Sequence, residues 1–257
     1  MDLTLEEYIT YHFHGVLVIG DLHADYQAFS RAVKYAKEEN FFLMSLGDLV
    51  DRGRQPFEVI SEMHELVLDG RAGLTVGNHD LKFCRLAKGE KVNLAADPLQ
   101  TLEDVGAERR DDFLSMYTTI AEKVPFSGFV HKFHDIALVH ASNHKSVWEN
   151  DVTEYGKSAQ SRFLFGQTVN EIDEDGYPVR LYDWIEEIPS GKTLIVGHDR
   201  KPVHNVAITE PLVITNKVNG TAVFLDTGCG KSGFLSGAVL MTDKTKKYKI
   251  SSYVDFK

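Results

Sequence analysis

The chain has few cysteines, no long apolar run, no long basic tract and no internal repeat, and each absence removes a class of protein. Two cysteines, Cys84 and Cys229, in 257 residues cannot build the disulfide framework of a small secreted domain. A reducing compartment is the simpler expectation. The longest apolar runs, such as Val16 to Ile19, have strand length and fall far short of a membrane span. No cationic and then apolar stretch opens the chain. Met1-Asp2-Leu3-Thr4-Leu5-Glu6-Glu7 is acidic instead, so a cytoplasmic location is expected. The formal net charge is -10. Tight nucleic-acid binding rests on neutralising phosphates, and stable binding of that kind is not expected here. No linker or low-complexity segment divides the sequence, so residues 1–257 are expected to form one domain.

What is present is an alternation of apolar strands and amphipathic helices. Gly15-Val16-Leu17-Val18-Ile19 is continuously apolar and rich in β-branched residues, the pattern of a strand covered on both faces. Gln27 to Glu39 sets Phe29, Ala32, Val33 and Ala36 at helical spacing. Phe41 to Leu46 reads as a second buried strand, Pro56 to Leu68 as a second helix, and Leu74 to Val76 as a third strand. This succession predicts a layered α/β core. Asp111 to Lys123 reads as helical, and Gly128 to Phe133 with Asp135 to His140 as a hairpin. Residues 142–190 are polar, with a short helix near Tyr182 to Ile188, and read as an excursion over the face where the strands end. Thr193 to Val196 is a further strand. Ala222 to Leu225, Gly237 to Thr242 and Lys247 to Val254 predict a second sheet of mostly antiparallel strands.

Five strand ends carry side chains of metal-ligand type: Asp21 with His23, Asp48, Asn78, His140 and His198. Open α/β sheets bind ligands in the crevice beyond the carboxyl ends of their strands, so residues distant in sequence converge there. Three imidazoles, one amide oxygen and two carboxylates suit manganese, iron, zinc or cobalt better than calcium. No thiolate belongs to the set, which argues against a soft-metal structural site. A lone Asp or His at a strand end is ordinarily a cap or surface residue. It is the full set that points to a metal centre.

Gly20-Asp21-Leu22-His23, Gly47-Asp48-Leu49-Val50-Asp51-Arg52-Gly53 and Gly77-Asn78-His79-Asp80 resemble the three signature motifs of the calcineurin-like metallophosphoesterases. The Asp51-Arg52-Gly53 ending resembles the branch that holds the serine/threonine phosphoprotein phosphatases. Val139-His140 and Gly197-His198 match that branch's two later histidines. Asn78-His79-Asp80-Leu81-Lys82 with Arg85-Leu86 and Gly89, and Leu225-Asp226-Thr227-Gly228-Cys229, are similar to small bacterial and phage members. Those members include symmetrical dinucleoside tetraphosphatases, small protein phosphatases and polynucleotide kinase-phosphatase domains. Two positions depart from the pattern: Ala24 stands where the first motif usually has Gly, and Asp80 where the third usually has Glu.

The resemblance implies an α/β fold, a four-layer αββα sandwich of two mixed β-sheets flanked by helices. It implies two divalent metal ions, manganese first, with iron, zinc, nickel or cobalt as alternatives. Asp21, His23 and Asp48 would hold one ion, and Asp48, Asn78, His140 and His198 the other, with Asp48 bridging. Two such ions can share a water, lower its pKa and clamp a phosphoryl group. His79 would be the general acid, with Asp51 fixing its tautomer. Arg52 would fork onto phosphate oxygens, and Arg162 is the expected second phosphate-binding arginine.

The implied activity is hydrolysis of phosphate monoesters, with phosphoserine or phosphothreonine in a phosphoprotein as the expected substrate. A symmetrical dinucleoside tetraphosphate, a small phosphorylated substrate of another kind, or a nucleic-acid end bearing a 3′ or 2′,3′-cyclic phosphate stays open. So does a non-enzymatic binding module of the same fold. Tyr155, Phe163, Phe165, Tyr177 and Tyr182 in the excursion would either stack a base or pack under a long loop. His12, His14, His144 and His204 read as ordinary surface or core histidines. Gly228-Cys229-Gly230-Lys231-Ser232 has the look of a P-loop, but Leu225 stands where that motif needs glycine.

Overall fold

In the computed structural model, which describes residues 3–123, 125–149, 154–172, 176, 178–203 and 205–257, Thr4 and Glu7 form a reciprocal cap on α1 (Leu5–His12). β1 (Gly15–Ile19) follows and is buried at every position. Asp25 accepts the Ala28 N–H at 3.0 Å and starts α2 (Tyr26–Glu38), whose buried stripe is Ala28, Phe29, Ala32, Val33 and Ala36. After β2 (Phe41–Ser45), Pro56 pre-sets the first turn of α3 (Pro56–Leu68). β3 (Ala72–Thr75) leads into three helices, α4 (Asn78–Ala87), α5 (Ala96–Val105) and α6 (Arg110–Glu122). A short β4 (Ser127–Gly128) precedes the hairpin of β5 (Val130–Phe133) and β6 (Ile136–Val139). Residues 142–190 hold α7 (Lys157–Phe165), β7 (Gln167–Ile172) and β8 (Pro178–Leu181). β9 (Thr193–Val196), β10 (Leu212–Thr215), β11 (Thr221–Phe224), β12 (Leu235–Thr242) and β13 (Tyr248–Phe256) complete the order.

The first sheet runs β13-β12-β1-β2-β3-β4, the second β10-β11-β9-β6-β5, and β7 pairs with β8 alone. β1, β2, β3 and β4 are mutually parallel. The expected second sheet of mostly antiparallel strands needs correction on two counts. β12 and β13 extend the first sheet, β12 lying antiparallel to β1. The second sheet joins β11 to β9 and β9 to β6 in parallel, with antiparallel pairs only at its margins. Residue alternation reports which faces of a strand are covered and says nothing about its neighbour. Gly237 permits the close approach of β12, since a Cβ there would lie 2.7 Å from the Val18 carbonyl oxygen.

Alternate residues of β1 and β2 serve two cores, which is why both strands are apolar throughout. Leu17, Ile19 and Leu43 pack with Phe29, Val33 and Met63 of the helical layer. Val16, Val18, Phe42 and Met44 face the second sheet and meet Leu138, Ile195 and Val223. On its outer face the second sheet buries Val139, Leu194 and Phe224 against Phe163 and Trp184 from the 142–190 segment. Helices, sheet, sheet and covering segment are the four layers. Among the described residues no helix is long and apolar enough to cross a membrane.

Candidate active site

Three strands of the first sheet and two of the second deliver their C-terminal ends to one place. Asp21, His23 and Asp48 bring potential ligand atoms within 4.8 Å of one another, and so do Asp48, His140 and His198. Asp48 belongs to both groups. Asn78, the first residue of α4, lies with its Oδ1 3.2 Å from His140 Nε2. All six side chains singled out at the strand ends are therefore brought together.

Hydrogen bonds between the loops hold this cluster in place. Asp21 Oδ1 accepts the His198 N–H at 2.9 Å, tying the end of β1 to the end of β9. Asp48 Oδ1 accepts the His79 N–H at 3.0 Å. Asp80, wholly buried, accepts the N–H groups of Asp48, Gly77 and Leu49 at 2.7, 3.0 and 3.0 Å, and the Tyr117 hydroxyl at 3.1 Å. The turns are tight enough to force left-handed backbone on residues with a Cβ: His23, Ala24, Asp48, Asp51, Arg52 and His198 all have φ between 47° and 72°. Such residues cost about 1–3 kcal/mol each and persist only where their surroundings over-determine them. Ala24, the departure from the usual Gly, is one of them. Gly47 has φ 100°, and a Cβ there would lie 2.6 Å from both the Gly77 nitrogen and the Thr75 carbonyl oxygen.

The imidazole donor atoms are oriented as a divalent ion requires. His23 Nδ1 bonds the Val50 carbonyl at 3.2 Å and His140 Nδ1 the Leu46 carbonyl at 2.7 Å, which turns both Nε2 atoms inward. Burial pushes the His23 and His198 imidazoles well below their usual pKa, which favours the neutral form of each ring. Burial opposes the charge on Asp48, yet His140, His79, His23 and His198 outweigh it and hold its carboxyl below the usual range. Burial, with the neighbouring Asp226 and Asp48 charges, lifts the Asp21 carboxyl well above its ordinary range. Its Oδ2 is buried and has no hydrogen-bond partner. An orphaned carboxylate oxygen beside a second carboxylate, facing imidazoles, is a set that a divalent cation satisfies.

The remaining singled-out residues divide. His79 Nδ1 bonds to Asp51 Oδ2, and Asp51 Oδ1 accepts the Thr101 hydroxyl at 2.6 Å. Burial works against a charged His79, but Asp48 and Asp51 prevail and raise its pKa. Arg52 Nη1 lies 3.0 Å from His23 Nε2, at the rim of the cluster. A cleft of about 750 Å³ opens there, lined by Arg52, Arg180, Arg200, Lys201, Lys231 and His198 among others. Arg162 does not line this cleft; it pairs with Glu187 at 3.5 Å from its place on α7. Arg180 of β8 stands there instead, with Nη2 3.1 Å from His198 Nε2 and Nη1 3.2 Å from Asp199 Oδ1. Tyr182 lines the same cleft and donates its hydroxyl to Asp199. Phe163 is core, Phe165 is exposed away from the lining, and Tyr177 and His204 lie outside the described residues.

Arg180, Lys231 and Thr101 are the additions that the sequence did not disclose. Lys231 sits in the segment set aside as a false P-loop. That segment leads into β12 and not into a helix, yet it folds back on the site. Gly230, at φ 70°, lies where a Cβ would strike the His23 carbonyl oxygen.

A family model described as calcineurin-like phosphoesterase matches residues 14–221. Among curated proteins, the chain is 28% identical over 232 residues to the asymmetrical bis(5'-nucleosyl)-tetraphosphatase PrpE of Halalkalibacterium halodurans, a match covering 85% of this chain and 87% of that one. The protein of the same name from Bacillus subtilis is 24% identical over 233 residues, covering 86% and 88%. Among solved structures, a candidate diadenosine tetraphosphatase superposes with a TM-score of 0.56 at 20% identity over 95% of both chains. A protein serine/threonine phosphatase of Saccharomyces cerevisiae superposes with a TM-score of 0.54 at 13% identity, over 96% of this chain and 80% of that one. At these identities the structural likeness speaks for the fold alone.

Proposed function

The chain belongs to the calcineurin-like phosphoesterases, and from that membership we propose that it hydrolyses the phosphoanhydride bridge of a dinucleoside polyphosphate. Metal-dependent hydrolysis of phosphoric esters comes with the family, so the non-enzymatic binding module falls away. The substrate is our own reading. The observation that carries it is the cleft: Arg52, Arg180, Arg200, Lys201 and Lys231 gather beside the ligand cluster of a chain whose net charge is -10. Asp97 and Asp199 offset part of that charge. A phosphomonoester needs fewer cations than this. A tetraphosphate bridge, with one charge on each phosphate, uses them. The resemblance to the curated tetraphosphatases points the same way.

In this reading Asp21, His23 and Asp48 hold one ion and Asp48, Asn78, His140 and His198 the other, with manganese our choice for the donor set. Bound divalent ions supply Lewis acidity and a nucleophilic water. Arg52 and Arg180 orient the phosphoryl group by charged hydrogen bonds. His79 gives its Nε2 proton to the leaving oxygen, while Asp51 keeps its Nδ1–H in place.

The test is a competition on manganese-loaded protein among a dinucleoside tetraphosphate, a phosphoserine peptide and an oligonucleotide with a 3′-phosphate. We expect kcat/KM for the dinucleotide to exceed the others at least about a hundredfold, roughly 2.7 kcal/mol of transition-state preference. A phosphopeptide turned over equally well would overturn the assignment in favour of a protein phosphatase. The products, ATP with AMP or two ADP, identify the phosphorus attacked.

A further inference from the structure

Two side chains one turn apart on α5 each hold a residue of the same catalytic loop. Asp97 Oδ2 accepts from Arg52 Nε at 3.4 Å, and Thr101 Oγ1 donates to Asp51 Oδ1 at 2.6 Å. Spacing of i, i+4 puts both on one face of the helix. The two bonds differ in setting. Asp97 is half exposed, whereas Thr101 is 1% and Asp51 0% exposed. Water is not at hand to replace the Thr101 hydroxyl, so removing it leaves a buried carboxylate oxygen without a donor.

Asp51 has its other oxygen on His79 Nδ1. With both oxygens engaged, the carboxylate plane cannot turn, and the imidazole that rests on it is fixed as well. The hydroxyl itself comes from firm ground. α5 is anchored by Pro98, Leu102 and Val105, buried on the same side as Thr101. The relay therefore runs from a packed helix through a carboxylate to a ring.

We propose that Thr101 is a positioning residue for the reaction. It locks Asp51 in the orientation that keeps His79 Nε2 aimed at the oxygen that leaves as its bond to phosphorus breaks. This rests on the reading of His79 as the proton donor given above.

Thr101→Val removes the hydroxyl at nearly constant volume, and Thr101→Ser restores it. Both are assayed as full-length, manganese-loaded protein on an alkyl phosphate, a poor leaving group, and on 2,4-dinitrophenyl phosphate, which needs little protonation. Melting curves and metal content accompany each variant. We expect Thr101→Val to lower kcat on the alkyl ester roughly ten- to hundredfold. KM and activity on the dinitrophenyl ester should stay near wild type, and Thr101→Ser should recover most of the loss. In a His79→Asn background, the valine substitution should add almost nothing. Should Thr101→Val lose the fold, Thr101→Ala takes its place. Equal loss on both esters, no rescue by serine, full activity of the hydroxyl-free variant, or loss undiminished in His79→Asn would each overturn the proposal. If His79→Asn alone slows both esters equally, the reading of His79 fails instead, and the two failures are told apart.

Discussion

At position 80 a single carboxylate organises two turns, and its arithmetic of donors makes it hard to replace. Three backbone N–H groups and a tyrosine hydroxyl point at its two oxygens. Whichever way an amide is turned there, its NH₂ meets at least one N–H. We expect Asp80→Asn to lower stability by about 1.5–3 kcal/mol, read as a shift of the denaturation midpoint, while Asp80→Glu keeps the charge and costs less. An asparagine variant as stable as wild type would show that the loops hold themselves. The six ligand-type side chains were legible because they cluster at the ends of apolar runs and four of them, Asp21, Asp48, Asn78 and His198, directly follow a glycine. Arg180, Thr101 and Lys231 were not, because each lies in a polar stretch where nothing local sets one cation or hydroxyl apart from its neighbours.

Elements with a strong period were read nearly to the residue: α3 spans Pro56–Leu68 and β9 Thr193–Val196, as expected. α5 escaped, although Pro98, Thr101, Leu102 and Val105 have helical spacing, because a proline and a threonine weaken the apolar signal. α4, which begins at Asn78 itself, was not expected as a helix either. The β7–β8 hairpin escaped too, since β7 is largely exposed and its pairing is irregular. That omission left Arg180 out of consideration, and Arg162 of α7 was the second arginine expected. Arg180→Ala should reduce kcat/KM roughly ten- to hundredfold, the value of one or two charged hydrogen bonds, while Arg162→Ala should leave it within about threefold. Steady-state kinetics on the dinucleotide decide between them, and the reverse ranking would return the role to α7.

Across the whole molecule, the proposed ligands come from both sheets, so bound ions cross-link the halves of the sandwich. A ligand that binds only the folded state at a hundred times its dissociation constant stabilises by about 2.7 kcal/mol. For a chain of this size that is roughly 5–10 °C in Tm. Manganese should raise Tm by this order over a chelator-treated sample, and Asp48→Asn, which removes the shared ligand, should abolish most of the rise. An unchanged rise in that variant would count against a shared carboxylate. The fold class followed from the strand-helix succession, but the assignment of β12 and β13 to the first sheet did not, because pairing partners leave no mark on a strand's own sequence. The bond from the His198 backbone to Asp21 adds a kinetic consequence. It joins residues 177 apart, and closing so long a loop costs on the order of 4–5 kcal/mol of chain entropy. The two ligand groups therefore become neighbours only when the second sheet docks on the first. A nascent chain still lacking β9 carries Asp21, His23 and Asp48 but no His198, so the paired centre marks the end of folding and cannot guide its beginning.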